Sequence, residues 1–165
     1  MQARLVPVSI REHFLADHLR MEVMFDGLLK AIASNDRDRM QAALAEFETN
    51  LSAHMDAEEV HLIPLLQAKA ERDARVLIQE HAHIRRRLAE LGLAVELHTI
   101  RLEIARGFVD EVRAHARSED RLLYRWAESH VGDDDARAML DAMRHRHPRR
   151  PSLRGLTAVA AGAKR

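Results

Sequence analysis

Apolar residues recur at helical spacing along most of the chain. Ile10, Phe14, Met21, Phe25, Leu28, Leu29 and Ile32 form a first stripe, and His18 lies on it. Ser9 followed by Glu12 reads as a capping box opening that helix. The run Ser34-Asn35-Asp36 ends it and caps the next. A second stripe carries Met40, Leu44, Phe47 and Leu51, then His54 and Glu58, then Leu62 and Leu65. Pro64 falls inside this pattern. It lacks an N–H and clashes with the preceding turn, so the helix is predicted to bend or end about a turn before it. A third helix starts near Asp73 and turns Leu77, Ile78, His81, Ile84, Leu88 and Leu91 inward. After a turn near Leu97–Thr99, a fourth presents Ile104, Phe108, Val112, His115, Glu119, Leu122 and Trp126. Gly132 stops it, and Asp133 caps a short fifth helix with Met139 and Met143 facing in. No stretch shows strand alternation. The pattern predicts an all-α bundle over residues 9–130, a short helix over 133–147, and a basic, disordered tail over 148–165 with a helical turn around Leu156–Ala161 at most.

The histidines change this picture from a plain bundle to a candidate site. There are 11 in 165 residues, and no Cys. Two sets repeat in the same order: His18, then His54 with Glu58; and His81, then His115 with Glu119. The gap from single to paired His is 36 residues in the first set and 34 in the second. The residues after each pair also correspond, Glu58-Glu59-Val60-His61-Leu62-Ile63-Pro64 against Glu119-Asp120-Arg121-Leu122-Leu123-Tyr124-Arg125. A duplicated helical hairpin explains this, with three metal-type ligands per copy near a pseudo-twofold axis. In a helix, positions i and i+4 lie one turn apart on one face. Each His-x-x-x-Glu pair therefore aims two ligands at one inward point. Buried, ionised carboxylates are costly unless paired, and a multivalent cation is the natural counter-charge for such a set. Facing helices of bundles build dimetal carboxylate sites in this way.

A count of positions refines the idea. Two roughly octahedral ions need about twelve donors. Four His, two bridging carboxylates and one bridging oxo or hydroxo group fill about ten, leaving about two open for O2, NO, peroxide or water. Without Cys, the donors are imidazole and carboxylate, which suits iron, manganese or zinc more than copper(I). Spacing by itself is a modest signal, since a third His-x-x-x-Glu occurs at His18/Glu22. The competing reading is a metal-free bundle whose core histidines are salt-bridged to glutamates.

In combination, the runs His54-Met-Asp-Ala-Glu58-Glu59-Val-His-Leu-Ile-Pro64 and His115-Ala-Arg-Ser-Glu119-Asp120-Arg-Leu-Leu-Tyr124 resemble the hemerythrin-like, or HHE cation-binding, domain over about residues 9–130. The resemblance implies an up-down four-helix bundle holding a non-haem di-iron centre of two iron ions, oxo- or hydroxo-bridged. It implies His18 and His81 as single ligands, His54 and His115 as terminal ligands, and Glu58 and Glu119 as bridges. It further implies a protein that binds or senses O2, NO or peroxide at open iron positions. A di-iron enzyme with peroxidase, catalase-like or ferroxidase activity is the alternative, ahead of a metal-free bundle. One departure stands out. Oxygen-carrying members place a second His one turn along the third helix, where this chain has Arg85. That argues against reversible O2 carriage. Glu22, one turn after His18, is a candidate replacement ligand.

The remaining candidates are read as bland. His61 is expected in the interior or a cleft, and Glu59 and Asp120 as solvated neighbours. Arg85 is expected on the surface, as are His13, His83, His98, His130, His145 and His147. Tyr124 lies nine residues after His115, half a turn out of phase, and is expected to pack, as is Trp126.

Charge is balanced overall, with 26 basic and 26 acidic residues, but unevenly placed. Arg144, Arg146, Arg149, Arg150, Arg154, Lys164 and Arg165 all come after the last acidic residue, Asp141. The tail is expected to be solvated rather than a nucleic-acid contact. With no apolar leader in Met1–Ile10 and no long apolar run, a cytoplasmic protein without a membrane partner is expected.

Overall fold

The computed structural model describes residues 9–146. The expected tail, and with it His147, lies outside the described residues. Helix α1 spans Ile10–Ser34, and the Ser9 hydroxyl accepts from the Glu12 N–H at 3.0 Å. Asn35 ends the helix at φ 54°, a left-handed turn that Asn tolerates. Asp36 then caps α2 (Arg37–His61), accepting from the Arg39 N–H at 3.1 Å. Pro64 acts as predicted: α2 stops at His61, and a short α3 (Ile63–Gln67) carries Pro64 in its first turn, where no N–H is needed. Helix α4 spans Glu71–Glu96 and α5 spans Leu102–Glu119. A π-helical turn comes next over Asp120–Tyr124, then α6 (Arg125–His130) and α7 (Asp133–Arg146).

The four long helices pack in a ring, α1 on α2, α2 on α4, α4 on α5, and α5 back on α1. Their contacts run in opposite chain directions. His18 meets His54 while Phe25 meets Phe47. Likewise, Glu119 meets His18 while Arg113 meets Glu22. No helix among the described residues is long and apolar enough to cross a membrane.

Two apolar blocks fill the bundle. One gathers Met21, Phe25, Leu28, Phe47, Leu51 and Phe108 with their neighbours. The other gathers Ile10, Phe14, Leu62, Leu66, Leu77 and Leu123, and α7 closes it with Ala136, Leu140 and Met143. Each large apolar side chain so buried contributes roughly 1.5–3 kcal/mol relative to exposure. Between the blocks lies a polar layer.

The fourth predicted stripe needs correcting at both ends. Ile104 is exposed, and Ala105 takes the inward position. Beyond Glu119, Leu123 and Ala127 are fully buried, whereas Leu122 and Trp126 only pack at the margin. The inward positions have moved by one residue because the π turn holds one more residue than an α turn. Two further residues expected inside, Leu65 and Ile78, are exposed, and their neighbours Leu66 and Leu77 are buried instead.

Candidate metal centre

Six side chains that the sequence singles out converge in the polar layer. His54, Glu58, His81, His115 and Glu119 are buried, and His18 is 13% exposed. Their donor atoms fall into two groups, each within 4.8 Å: Glu58, His81, His115 and Glu119 in one, and His18, His54 and Glu119 in the other. Glu119 belongs to both. Its Oε2 lies 3.0 Å from His18 Nε2 and 3.8 Å from His54 Nε2, while Oε1 lies 3.3 Å from His81 Nε2 and 2.5 Å from His115 Nε2. Glu58 is split similarly, with Oε1 3.7 Å from His54 Nε2 and Oε2 3.4 Å from His81 Nε2.

Carboxylates behind the rings orient them. His81 Nδ1–H donates to Glu59 at 2.8 Å, and His115 Nδ1–H donates to Glu80 at 2.8 Å. This turns Nε2 of both rings toward the centre, the arrangement that metal-bound imidazoles adopt. Asp17 stands 3.6 Å from His54 Nδ1. Glu59 is thus more than a solvated neighbour. Nor is Arg85 a bare surface cation: it donates to Glu59 at 2.6 Å and to Asp56 at 2.9 Å, holding the carboxylate that orients His81. Glu80 and Asp17 are not singled out by spacing, because their role depends on which neighbouring helix they meet.

Tyr124 is the larger surprise. Its hydroxyl donates to Glu58 Oε1 at 2.5 Å and lies 3.3 Å from Glu119 Oε2, 3.3 Å from His18 Nε2 and 3.4 Å from His54 Nε2. A continuous α-helix would carry it half a turn away. Within the π turn, five residues make the circuit that four make in an α-helix, and Tyr124 returns to the face of Glu119. Glu22, the candidate replacement ligand, is engaged elsewhere: both its oxygens accept from Arg113, at 2.7–3.1 Å. Asp120 accepts from Arg11 and Arg125. His83 pairs with Glu111 at the surface, His98 and His130 are exposed, and His13 and His61 are half-buried.

The electrostatics are those of a site short of positive charge. Burial works against charging His81 and His115. The adjacent carboxylates of Glu119 and Glu58 outweigh it and raise His81 to about 10, and that of Glu119 raises His115 to about 9. Burial also opposes ionisation of Glu119, but His115, His18 and His54 hold it well below its ordinary range. Burial and the adjacent Glu119 push Glu58 up. Burial and both carboxylates raise the Tyr124 hydroxyl well above its usual value. Even so, Glu58 Oε2, 3.4 Å from His81 Nε2, and His115 Nε2, 2.5 Å from Glu119 Oε1, are buried and meet those neighbours without hydrogen-bond geometry. Such orphaned atoms are costly. A cation would satisfy both, and a set of imidazoles and carboxylates fits one.

These shifts give chelator-treated protein a pH dependence. His81 and His115 bind protons more tightly when folded than at their ordinary 6.5. Their contribution to stability is full below about pH 6.5 and is lost as pH rises through about 9 to 10. The urea midpoint is expected to fall over that range. A rising midpoint would mean that the imidazoles are not charged in the folded state.

A pocket beside the centre is bounded by His18, His115 and Glu119 on its polar side and by Met21, Phe25 and Val112 on its apolar side. A wider groove lined by His18, Glu22, Arg113 and Arg117 opens on the same flank.

Comparison with curated proteins and with solved structures gives no match. The family model of the hemerythrin HHE cation binding domain matches residues 9–99 and again residues 72–149. Each stretch takes in the whole of one of the two His … His-x-x-x-Glu sets, and together they span the bundle. By that match, and with a buried His/Glu cluster able to hold metal at its core, this all-α chain belongs to the hemerythrin HHE cation-binding domain family.

Proposed function

We propose that this cation-binding protein holds about two irons in a non-haem centre, and that it binds or senses a small ligand such as O2, NO or peroxide there. In this reading His18 and His54 serve one ion, His81 and His115 the other, and Glu58 and Glu119 join them. The observation that carries it is Glu119, which places one carboxylate oxygen in each donor group. Iron would supply open coordination positions and a ferrous–ferric couple. The chain's own part is to fix four imidazoles by their outer nitrogens or by packing, to supply negative charge in a buried layer, and to leave an approach among the described residues. That approach is the His18 flank, where an apolar pocket meets the donors and favours small, weakly hydrated molecules.

The test is metal analysis of protein expressed with ample iron, joined to visible spectra with and without air, NO and peroxide. About two irons per chain and a ligand-dependent spectrum are expected. Iron well below one per chain would overturn the reading. Steady consumption of added peroxide by the same preparation would move the assignment from binding to a peroxidase or catalase-like activity.

A further inference from the structure

The π turn has brought a fourth donor to the His18 side. The four atoms His18 Nε2, His54 Nε2, Glu119 Oε2 and Tyr124 Oη lie at mutual separations of 3.0, 3.0, 3.8, 3.3, 3.4 and 3.3 Å. Donors about 2.0 Å from a shared ion in a tetrahedral arrangement are separated by about 3.3 Å. These four atoms therefore already outline a cage of the size one cation requires. From this cage we infer that Tyr124 is a protein ligand, its phenol oxygen binding the same cation as His18 and His54.

An ordinary buried tyrosine needs one partner for its hydroxyl. This one has four polar atoms within 3.4 Å, more than one O–H and two lone pairs serve well. Two of the four are imidazole nitrogens on the side of the ring that would face an ion. The oxygen is also held in place. The Tyr124 ring is fully buried and stacks on Phe14 with centroids 5.2 Å apart and planes at 18°. Its backbone is fixed by the π turn. When the phenol binds a cation, its O–H bond breaks and the O–metal bond forms; the proton leaves through the His18 flank to solvent. Glu58 Oε1, which had accepted that hydrogen, is freed to face the cation. A phenolate is a hard oxygen donor, so the position favours a hard, oxidised ion, iron(III), over a softer one.

The inference rests on the proposed metal reading, and one experiment separates the two. Wild-type protein and Tyr124→Phe are loaded with iron(III) and compared by visible absorption, resonance Raman scattering and iron loss to a chelator. Tyr124 is the single tyrosine in the sequence, so any phenolate signal has one source. The expected result is a visible charge-transfer band with phenolate ring vibrations in the wild type, both lost in Tyr124→Phe, and iron held about tenfold more weakly by the variant. Wild-type protein that holds iron(III) without phenolate vibrations overturns the tyrosine assignment and leaves the metal reading intact. Wild-type protein that holds no iron overturns both. The Raman result on wild type decides the question even if the variant folds poorly.

Discussion

Glu119→Gln is expected to leave the protein nearly devoid of bound iron under conditions where His54→Ala keeps about half of the wild-type content. The difference comes from geometry. His54 serves one donor group, whereas Glu119 is common to both. Glutamine keeps the shape of the side chain, so the buried layer stays filled. It removes negative charge that the proposed pair of buried cations would need and offers only one good donor atom where the carboxylate offered two. His54→Ala empties one position and leaves Glu58, His81, His115 and Glu119 in place. Metal analysis after gel filtration measures both. Glu119→Gln protein that retains full metal would show that the two groups do not share it.

The largest effect on folding is expected from Phe47→Ala. Phe47 is fully buried in the apolar block farther from α7, with its ring 5.2 Å from Phe25 and 6.0 Å from Phe108. Truncation loses the transfer energy of the ring and opens a cavity that three helices cannot close. The cost is about 3–5 kcal/mol by urea denaturation. The metal content of the folded fraction is expected to stay at the wild-type level, because Phe47 touches none of the six converging side chains through its ring contacts. A loss below about 1 kcal/mol would contradict this packing.

Much of this structure is legible in the chain. Periodicity finds the long helices because each has a single buried stripe. Ser9, Asn35, Asp36 and Pro64 mark boundaries because each acts within one turn of itself. The convergence of His18, His54, Glu58, His81, His115 and Glu119 is likewise readable, since i,i+4 pairs on apolar stripes can face only inward. What escapes is whatever depends on a change of period or on a neighbouring helix. Tyr124 is placed by a turn of unusual pitch that no nearby residue type announces. Glu80 and Glu59 look like ordinary helix-surface acids, and only the rotation of α4 against α5 and α2 sets each beside an imidazole ring. Ile78 and Ile104 are misread because the stripe is wide enough to admit either of two adjacent residues.

The polar layer between the two apolar blocks also sets how the helices slide along one another. Leucine and phenylalanine surfaces tolerate many alignments, and a bundle held by them alone could shift a helix by one turn, about 5.4 Å, at modest cost. Here such a shift would carry His54 and Glu58, or His115 and Glu119, out of the layer and into a wall of Leu and Phe. An ionised carboxylate stranded there costs several kcal/mol. The same side chains that we propose as cation ligands therefore also act as the bundle's alignment key, and they forbid the near-native stackings that a purely oily core would permit.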